Sequence, residues 1–263
     1  MESSSPYRSG WLKEGLLPAG AYNNLPFIDD VHLTAEHEIA KQQLLQMILE
    51  HNVGHLFTIR IIHKHYDVPQ NKVMVHETVY GPPSSVAMIL TSKSPYQRKH
   101  PLRGKNFMAE PDGTFQAYEY TVDPIQDVSK QQVAFLECIS REILRLGVEQ
   151  VFALTVLGTN FFEEFVEFEV PQLQATIALR PSIWLPQYKK TIQTQWIPTY
   201  DSSSTGKGGH CVNQAGTHTA VGYEGPLQDL SNIHIAGTTL APGTEAFEIL
   251  RNAMQAIAVT SAG

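Results

Sequence analysis

The chain has 263 residues, of which 42% are hydrophobic and 17% charged, and its formal net charge is −7. This composition suits a large globular domain and excludes disordered, fibrous and disulfide-rich classes. The acidic balance argues against a nucleic-acid partner, because neutralising phosphates needs a concentrated basic surface. The chain has only two cysteines and a polar start, which predicts a reduced, cytoplasmic protein. It has no apolar run long enough to cross a bilayer, which predicts that there is no transmembrane segment.

The first half of the chain predicts an arm, a helix and several strands. Residues 1–30 are rich in Ser, Gly, Pro and Asn, which is typical of an extended arm, and residues 31–263 are expected to form a single α+β domain. A capping sequence at Thr34 and an apolar helical period predict a helix to about Asn52. Period-two runs then predict strands with two hairpins, the first turning between residues 67 and 71 and the second at Asp112-Gly113. These strands cover residues 56–66, 73–79, 85–91 and, as a pair, 107–122.

The second half predicts two further helices separated by strands. Apolar residues recur at helical spacing over 129–146, where Gly147 is placed to end the helix, and again over 245–257. The intervening strands are predicted over 150–157, 164–170, 176–179 and 191–197, followed by a hairpin over 210–223. Together these elements indicate an α+β fold in which a curved antiparallel sheet, barrel-like or half-barrel, packs on two or three helices and encloses an apolar pocket.

His63 and His65 are the most informative residues of the sequence. They end the run FTIRIIHKH, and with a period of two they share a strand face with the apolar residues Phe57, Ile59 and Ile61. A buried polar side chain without a partner costs about 1–3 kcal/mol. Two adjacent buried histidines therefore predict a metal, a carboxylate or a substrate beside them.

Glu77 is the predicted carboxylate. In the first predicted hairpin it shares a face with Val73 and Val75, which places it on the same inner face as the two histidines. Three interpretations stay open for His63, His65 and Glu77. They could form a structural hydrogen-bonded group, a metal-free acid–base site, or a two-histidine, one-carboxylate site for a divalent metal such as zinc or iron.

Cys211 and His218 form a second candidate centre. The predicted hairpin over 210–223 brings a thiol and an imidazole to one side of a strand pair, and an imidazole can favour the reactive thiolate. The Gly- and Ser-rich loop 201–209 before Cys211 would then be a mobile lid. The alternative is that Cys211 is a small packed core residue.

Two segments resemble a group of uncharacterised fungal proteins. They are HLFTIRIIHKHYDVPQNKVMVHE at residues 55–77 and HCVNQAGTHTAV at residues 210–221, about a fifth of the chain. The resemblance implies no activity, but it places His63, His65, Glu77, Cys211 and His218 in one candidate set.

We expect a small-molecule enzyme of the lyase or isomerase type. An imidazole would act as the base on an apolar carbonyl substrate, with Glu77 fixing its tautomer, and a metal at the histidines would polarise the carbonyl or activate water. The competing hypothesis is a non-enzymatic binding protein for an apolar small ligand. The sequence leaves the oligomeric state open.

Overall fold

The computed structural model describes residues 10–81, 85–95, 101–126, 128–158, 164–180, 190–198, 208–214, 217–218, 221–223, 229–235 and 238–261. Within these ranges no helix combines the length and the apolar character needed to cross a membrane. The described part of the chain forms a nearly closed, barrel-like mixed sheet with four α-helices, an α+β fold.

The strands and helices alternate irregularly along the chain. The α-helices are α1 (Ala19–Asn23), α2 (Ala35–Glu50), α3 (Lys130–Leu146) and α4 (Glu245–Ser261), and single 3-10 turns cover Ile28–Asp30 and Pro171–Leu173. The strands are β1 (Leu12–Lys13), β2 (Phe57–Ile61), β3 (Val73–Gly81), β4 (Ser85–Lys93), β5 (Arg103–Ala109), β6 (Phe115–Thr121), β7 (Phe152–Val156), β8 (Phe165–Val170), β9 (Ala175–Leu179), β10 (Lys190–Gln193), β11 (Gln195–Trp196), β12 (Gly209–Gln214), β13 (Thr217–His218), β14 (Val221–Tyr223), β15 (Ile233–Ile235) and β16 (Thr238–Thr239).

The main sheet curves until its two edges meet. Around the barrel the strands follow the order β2, β7, β5, β6, β3, β4, β9, β8, β12 and β10. The edge strand β10 continues directly into β11, which pairs with β2. Thr194, between β10 and β11, bonds to both edges: its amide donates to the carbonyl of Gly209 at 2.8 Å, and its carbonyl accepts from the amide of Ile61 at 2.8 Å. One stretch of chain therefore bridges the seam of the barrel.

The seam requires glycine at position 208. Gly208 has φ of +146°, and a Cβ built there would lie 1.9 Å from the carbonyl oxygen of Gln195. A side chain would therefore clash with backbone at the point where the barrel closes.

The helices cover the outside of the barrel on two sides. Helices α2 and α3 pack on the outer faces of β2, β5 and β7, where Phe57, Ile59 and Ile61 join one apolar core. Helix α4 packs on β4 and β9 with the small sheet β14-β15-β16, and this second core contains Ile177 and Leu250. Apolar faces thus point outward to the helices, and the opposite strand faces point into the barrel.

The fold confirms most predicted elements and corrects one strand pairing and the type of sheet. The helices α2, α3 and α4 and the β5–β6 hairpin lie where the sequence predicted them. The predicted hairpin of β2 with β3 is wrong, because β2 pairs with β7 and β11 while β3 pairs with β4 and β6. The sheet is also mixed rather than antiparallel, since β3 with β6 and β8 with β12 run parallel.

Candidate functional site inside the barrel

The inward-facing side chains form three layers along the barrel axis. Residues two apart on a strand share a face, so β3 contributes Met74, then His76, then Thr78. The first layer is an apolar plug, formed with Ile62, Leu90, Tyr118 and Ala153. The second layer is polar, and its members are Arg60, His76, Asn106, Glu119, Thr155 and Glu167. The third layer lines a cavity at the opposite end from the plug.

Tyr22 closes the plugged end. It belongs to α1, within the stretch that the sequence predicted as an extended arm, and it packs in the apolar plug against Tyr118. Its hydroxyl lies 3.3 Å from Glu119 Oε1, to which it donates, and 3.4 Å from the amide of His65, from which it accepts. The N-terminal stretch therefore reaches the polar layer directly.

Glu119 is the centre of the polar layer, and its side chain is fully buried. Its Oε2 accepts from His76 Nε2 at 2.9 Å and from Asn106 Nδ2. Asn106 is fixed in turn by the hydroxyl of Thr155, which donates to Asn106 Oδ1 at 2.8 Å. The buried guanidinium of Arg60 lies 3.7 Å from Glu119 Oε2 and 3.9 Å from Glu167 Oε1. Arg60 thus joins two buried carboxylates.

The environment assigns protonation states to Glu119 and His76. Burial by itself would raise the pKa of Glu119, but the hydrogen bond from His76 and the charge of Arg60 outweigh it and hold the pKa below its usual value. Burial lowers the pKa of His76 to about 4, although Glu119 opposes the shift. At neutral pH the pair is therefore a carboxylate and a neutral imidazole, and Nε2 must carry the proton because the carboxylate can only accept.

The other nitrogen of His76 is left as an acceptor. His76 Nδ1 is buried and makes no hydrogen bond to any described residue. Buried polar atoms usually have a partner, so such an exception indicates a site for a ligand or a water molecule. His76 lines the cavity, so a ligand in the cavity could contact its imidazole ring.

The free space in and around the cavity, counting the open solvent at its mouth, is about 470 Å³. Its wall combines apolar residues, namely Met88, Leu157 and Phe165, with charged ones, namely Arg60, Lys105, Asp123 and Glu167. Asp123 is held in place by Thr78, whose hydroxyl donates to Asp123 Oδ2 at 2.6 Å and whose amide donates to Oδ1 at 3.1 Å. The cavity that the sequence predicted as apolar therefore also has charged groups in its wall.

Lys105 has an unusual environment for a lysine. It is half-buried at the cavity wall. Burial lowers its pKa to about 8, Asp123 opposes this shift and Arg60 adds to it. A lysine amine in such a place can stabilise a developing anion, and a fraction of it is unprotonated near neutral pH.

His63 and His65 are buried and converge, as the sequence predicted. Their exposed fractions are 1% and 2%, and their ring centroids are 4.8 Å apart. They follow the end of β2 rather than continuing it, so strand parity does not place them. His63 Nδ1 lies 3.0 Å from the carbonyl of Ile61, and His65 Nδ1 lies 3.3 Å from Thr176 Oγ1.

The prediction that Glu77 joins these histidines is wrong. The Glu77 side chain is 35% exposed and forms an ion pair with Lys93 on the neighbouring strand β4. The error has two causes: β2 and β3 do not pair, and the apolar side of β3 faces the helices, not the barrel interior. The carboxylate that does join the histidines is Glu167 of β8, and the potential ligand atoms of His63, His65 and Glu167 all lie within 4.8 Å of one another.

Cys211 and His218 are placed only by strand register. Cys211 of β12 lies opposite Glu167 on β8 and Ile192 on β10, and His218 of β13 lies opposite Asn213. This confirms a hairpin of β12 with β13, but the Cys211 and His218 side chains and loop residues 201–207 are outside the described part of the structure. The thiol–imidazole pair and the lid stay predictions.

Sequence reasoning missed the central residues of the polar layer. Each of Arg60, Glu119 and Glu167 lies between apolar or aromatic neighbours, in IRI, YEY and VEF. For Glu167 this alternation by itself predicts a solvent-exposed strand face. An isolated charge inside a strongly apolar strand was the available signal. In a barrel covered by helices, both strand faces are buried, so this signal indicates an interior charge network.

No protein-family model, curated protein or solved structure matches the chain. The resemblance of residues 55–77 and 210–221 to fungal proteins therefore stays a prediction, and function has to be inferred from the site.

Proposed function

We propose that the protein is a small-molecule enzyme that transfers a proton on a carbonyl compound held in the barrel cavity. The observation that carries this proposal is the His76–Glu119 pair. It combines a neutral imidazole that lines the cavity, a buried carboxylate on its Nε2 and a buried acceptor at its Nδ1. A histidine whose tautomer is fixed by a carboxylate is a common general base.

The proposed reaction begins with removal of a proton from the carbon next to the carbonyl group. His76 Nδ1 takes this proton, and the resulting imidazolium is stabilised by Glu119. The electron pair of the broken C–H bond moves to the carbonyl oxygen, and the negative charge that develops there is stabilised by Lys105 and Arg60. Return of the proton to a different carbon would complete an isomerisation, whereas loss of a leaving group from the neighbouring carbon would complete an elimination.

The cavity wall favours a substrate with both apolar and anionic character. Met88, Leu157 and Phe165 would contact a hydrocarbon portion, and Lys105 and Arg60 would face the oxygen. The second candidate function, a binding protein for an apolar ligand, is favoured by the same three apolar residues.

The test is deuterium exchange. The purified protein is screened against a panel of small ketones, aldehydes and keto acids, and bound compounds are incubated in D₂O while deuterium at the α-carbon is followed by NMR. We expect exchange with at least one compound, and a loss of about 100-fold or more in His76→Asn, since general-base catalysis contributes about that much. His51→Asn, at an exposed position after α2, is the matched control and should exchange normally.

Three outcomes would overturn the proposal. The first is full exchange activity in His76→Asn, and the second is that no compound binds. The third is binding of a compound without exchange, which would favour the carrier function. Because His76 is buried, Lys105→Met at the half-buried cavity wall provides a second variant. It should keep its fold by near-ultraviolet circular dichroism and lose exchange, since it removes the charge that stabilises the enolate.

A further inference from the structure

We propose that His63, His65 and Glu167 form a binding site for one divalent transition-metal ion, independent of the proton-transfer function. Among the described residues these three bring two imidazoles and a carboxylate together, with their potential ligand atoms within 4.8 Å of one another. They are distant in the sequence, since the histidines follow β2 and Glu167 lies on β8, and only the closed barrel brings them together.

The hydrogen bonds of the histidines suit metal ligands. The carbonyl of Ile61 can only accept, so the 3.0 Å contact with His63 assigns the proton to Nδ1 and leaves the lone pair on Nε2. The Thr176 hydroxyl can accept from His65 Nδ1 in the same way. Metal-binding histidines usually donate their second nitrogen to a carbonyl, hydroxyl or carboxylate, which orients the ring and fixes the tautomer.

The charge of the polar layer also favours a cation. Glu119 and Glu167 carry two negative charges, and Arg60, which contacts both, supplies one positive charge. A divalent cation bound at Glu167 would be attracted by both carboxylates.

The ligand set indicates which metal class would bind. Ca²⁺ and Mg²⁺ prefer ligand sets made of oxygen atoms, whereas two imidazoles and one carboxylate suit Zn²⁺ and Fe²⁺. Three protein ligands leave a coordination position for water or a ligand. Glu167 is also part of the cavity wall, so the metal site and the cavity have one residue in common.

The experiment measures metal binding directly. Protein stripped with a chelator is titrated with Zn²⁺ by calorimetry and with Co²⁺ by visible absorption. We expect one ion per chain and a Co²⁺ spectrum typical of four- or five-fold nitrogen and oxygen coordination. His63→Ala with His65→Ala, and separately Glu167→Gln, should weaken Zn²⁺ binding by about 100-fold or more, since even an outer-shell change costs 10–100-fold.

Matched controls separate this site from ordinary surface binding. Two control variants should bind one Zn²⁺ with unchanged affinity. They are Glu77→Gln, which changes a carboxylate that pairs with Lys93 on the outside of the barrel, and His51→Ala, at an exposed position. Absence of one-to-one binding in the stripped wild-type protein overturns the proposal, as does unchanged affinity in the histidine double variant. If the variants do not fold, the Co²⁺ spectrum of the wild-type protein decides the question. A spectrum that shows no nitrogen coordination of the Co²⁺ ion overturns the proposal.

Failure of this proposal is distinguishable from failure of the proposed enzyme. Chelator-treated protein that has lost its metal but still exchanges deuterium would leave the proton-transfer function in place. A protein that binds Zn²⁺ through these residues and exchanges no substrate would support the metal site alone.

Discussion

Arg60→Met should be among the most destabilising single substitutions in the barrel. The guanidinium lies 3.7 Å from Glu119 and 3.9 Å from Glu167, and it is 2% exposed. At an effective dielectric constant of about 20, each contact contributes about 4 kcal/mol of attraction. Removing the guanidinium also removes its own desolvation cost, so the expected net loss of unfolding free energy is about 3–5 kcal/mol, the usual value for breaking a buried ion pair.

The assay is equilibrium urea unfolding near pH 7, followed by circular dichroism and tryptophan fluorescence. Arg141→Met is the matched control: it removes an arginine that is 70% exposed and pairs with Glu137 on α3, so its loss should stay within about 0.5 kcal/mol. Adding Glu119→Gln to Arg60→Met should restore part of the stability, because it removes one uncompensated carboxylate. A loss below about 1 kcal/mol in Arg60→Met, with an unchanged m-value, would refute the view that Arg60 holds the two carboxylates together.

Three further predictions concern the pH dependence of stability, the reactivity of the Lys105 amine and the contribution of Tyr22 to stability. The free energy of unfolding should fall by about 3 kcal/mol between pH 6.5 and 4 because of His76. Its folded pKa of about 4 is below the value of about 6.5 in the unfolded chain, so the unfolded state binds an extra proton in this pH range. Urea titrations should find that this pH-dependent loss of stability is absent in His76→Gln, and its persistence there would contradict the low pKa of His76. Lys105 should react with an amine reagent with a midpoint near pH 8 by peptide mapping, and a midpoint near the ordinary lysine value of about 10.4 would contradict its buried environment. Tyr22→Phe should lower the free energy of unfolding by about 1–2 kcal/mol, because it removes the hydrogen bonds with Glu119 and the His65 amide. Tyr80→Phe, at an exposed position, should have no effect. Equal effects of the two substitutions would contradict a stabilising role for the buried Tyr22 hydroxyl.

Local patterns in the sequence predicted α2, α3 and α4 and much of the strand content. The capping interaction at Thr34, where its hydroxyl accepts from the amide of His37, and the left-handed Gly147 after α3 are local features that the sequence alone can show. The β5–β6 hairpin is equally local, because its turn residues lie between the two strands. The burial of His63 and His65 was also predicted, although through a strand that ends before them.

The long-range pairings could not be predicted in the same way. Whether β3 pairs with β2 or with β6 depends on strands far apart in the sequence, and the incorrect choice placed Glu77 in the site instead of Glu167. The parallel contact of β12 with β8, which places Cys211 opposite Glu167, has no local signal either.

The sequence by itself determined the three longer helices, most of the segments that alternate as strands, and that the buried His63 and His65 need a partner. Only the tertiary structure decided which strand face is the functional one. When a sheet closes into a barrel and helices cover its outside, both faces of each strand are shielded from water, so an apolar face no longer marks the interior. In this protein the apolar faces lie under the helices, and Glu167 and His76, which lie on the opposite strand faces, are inside the barrel beside Arg60 and Glu119.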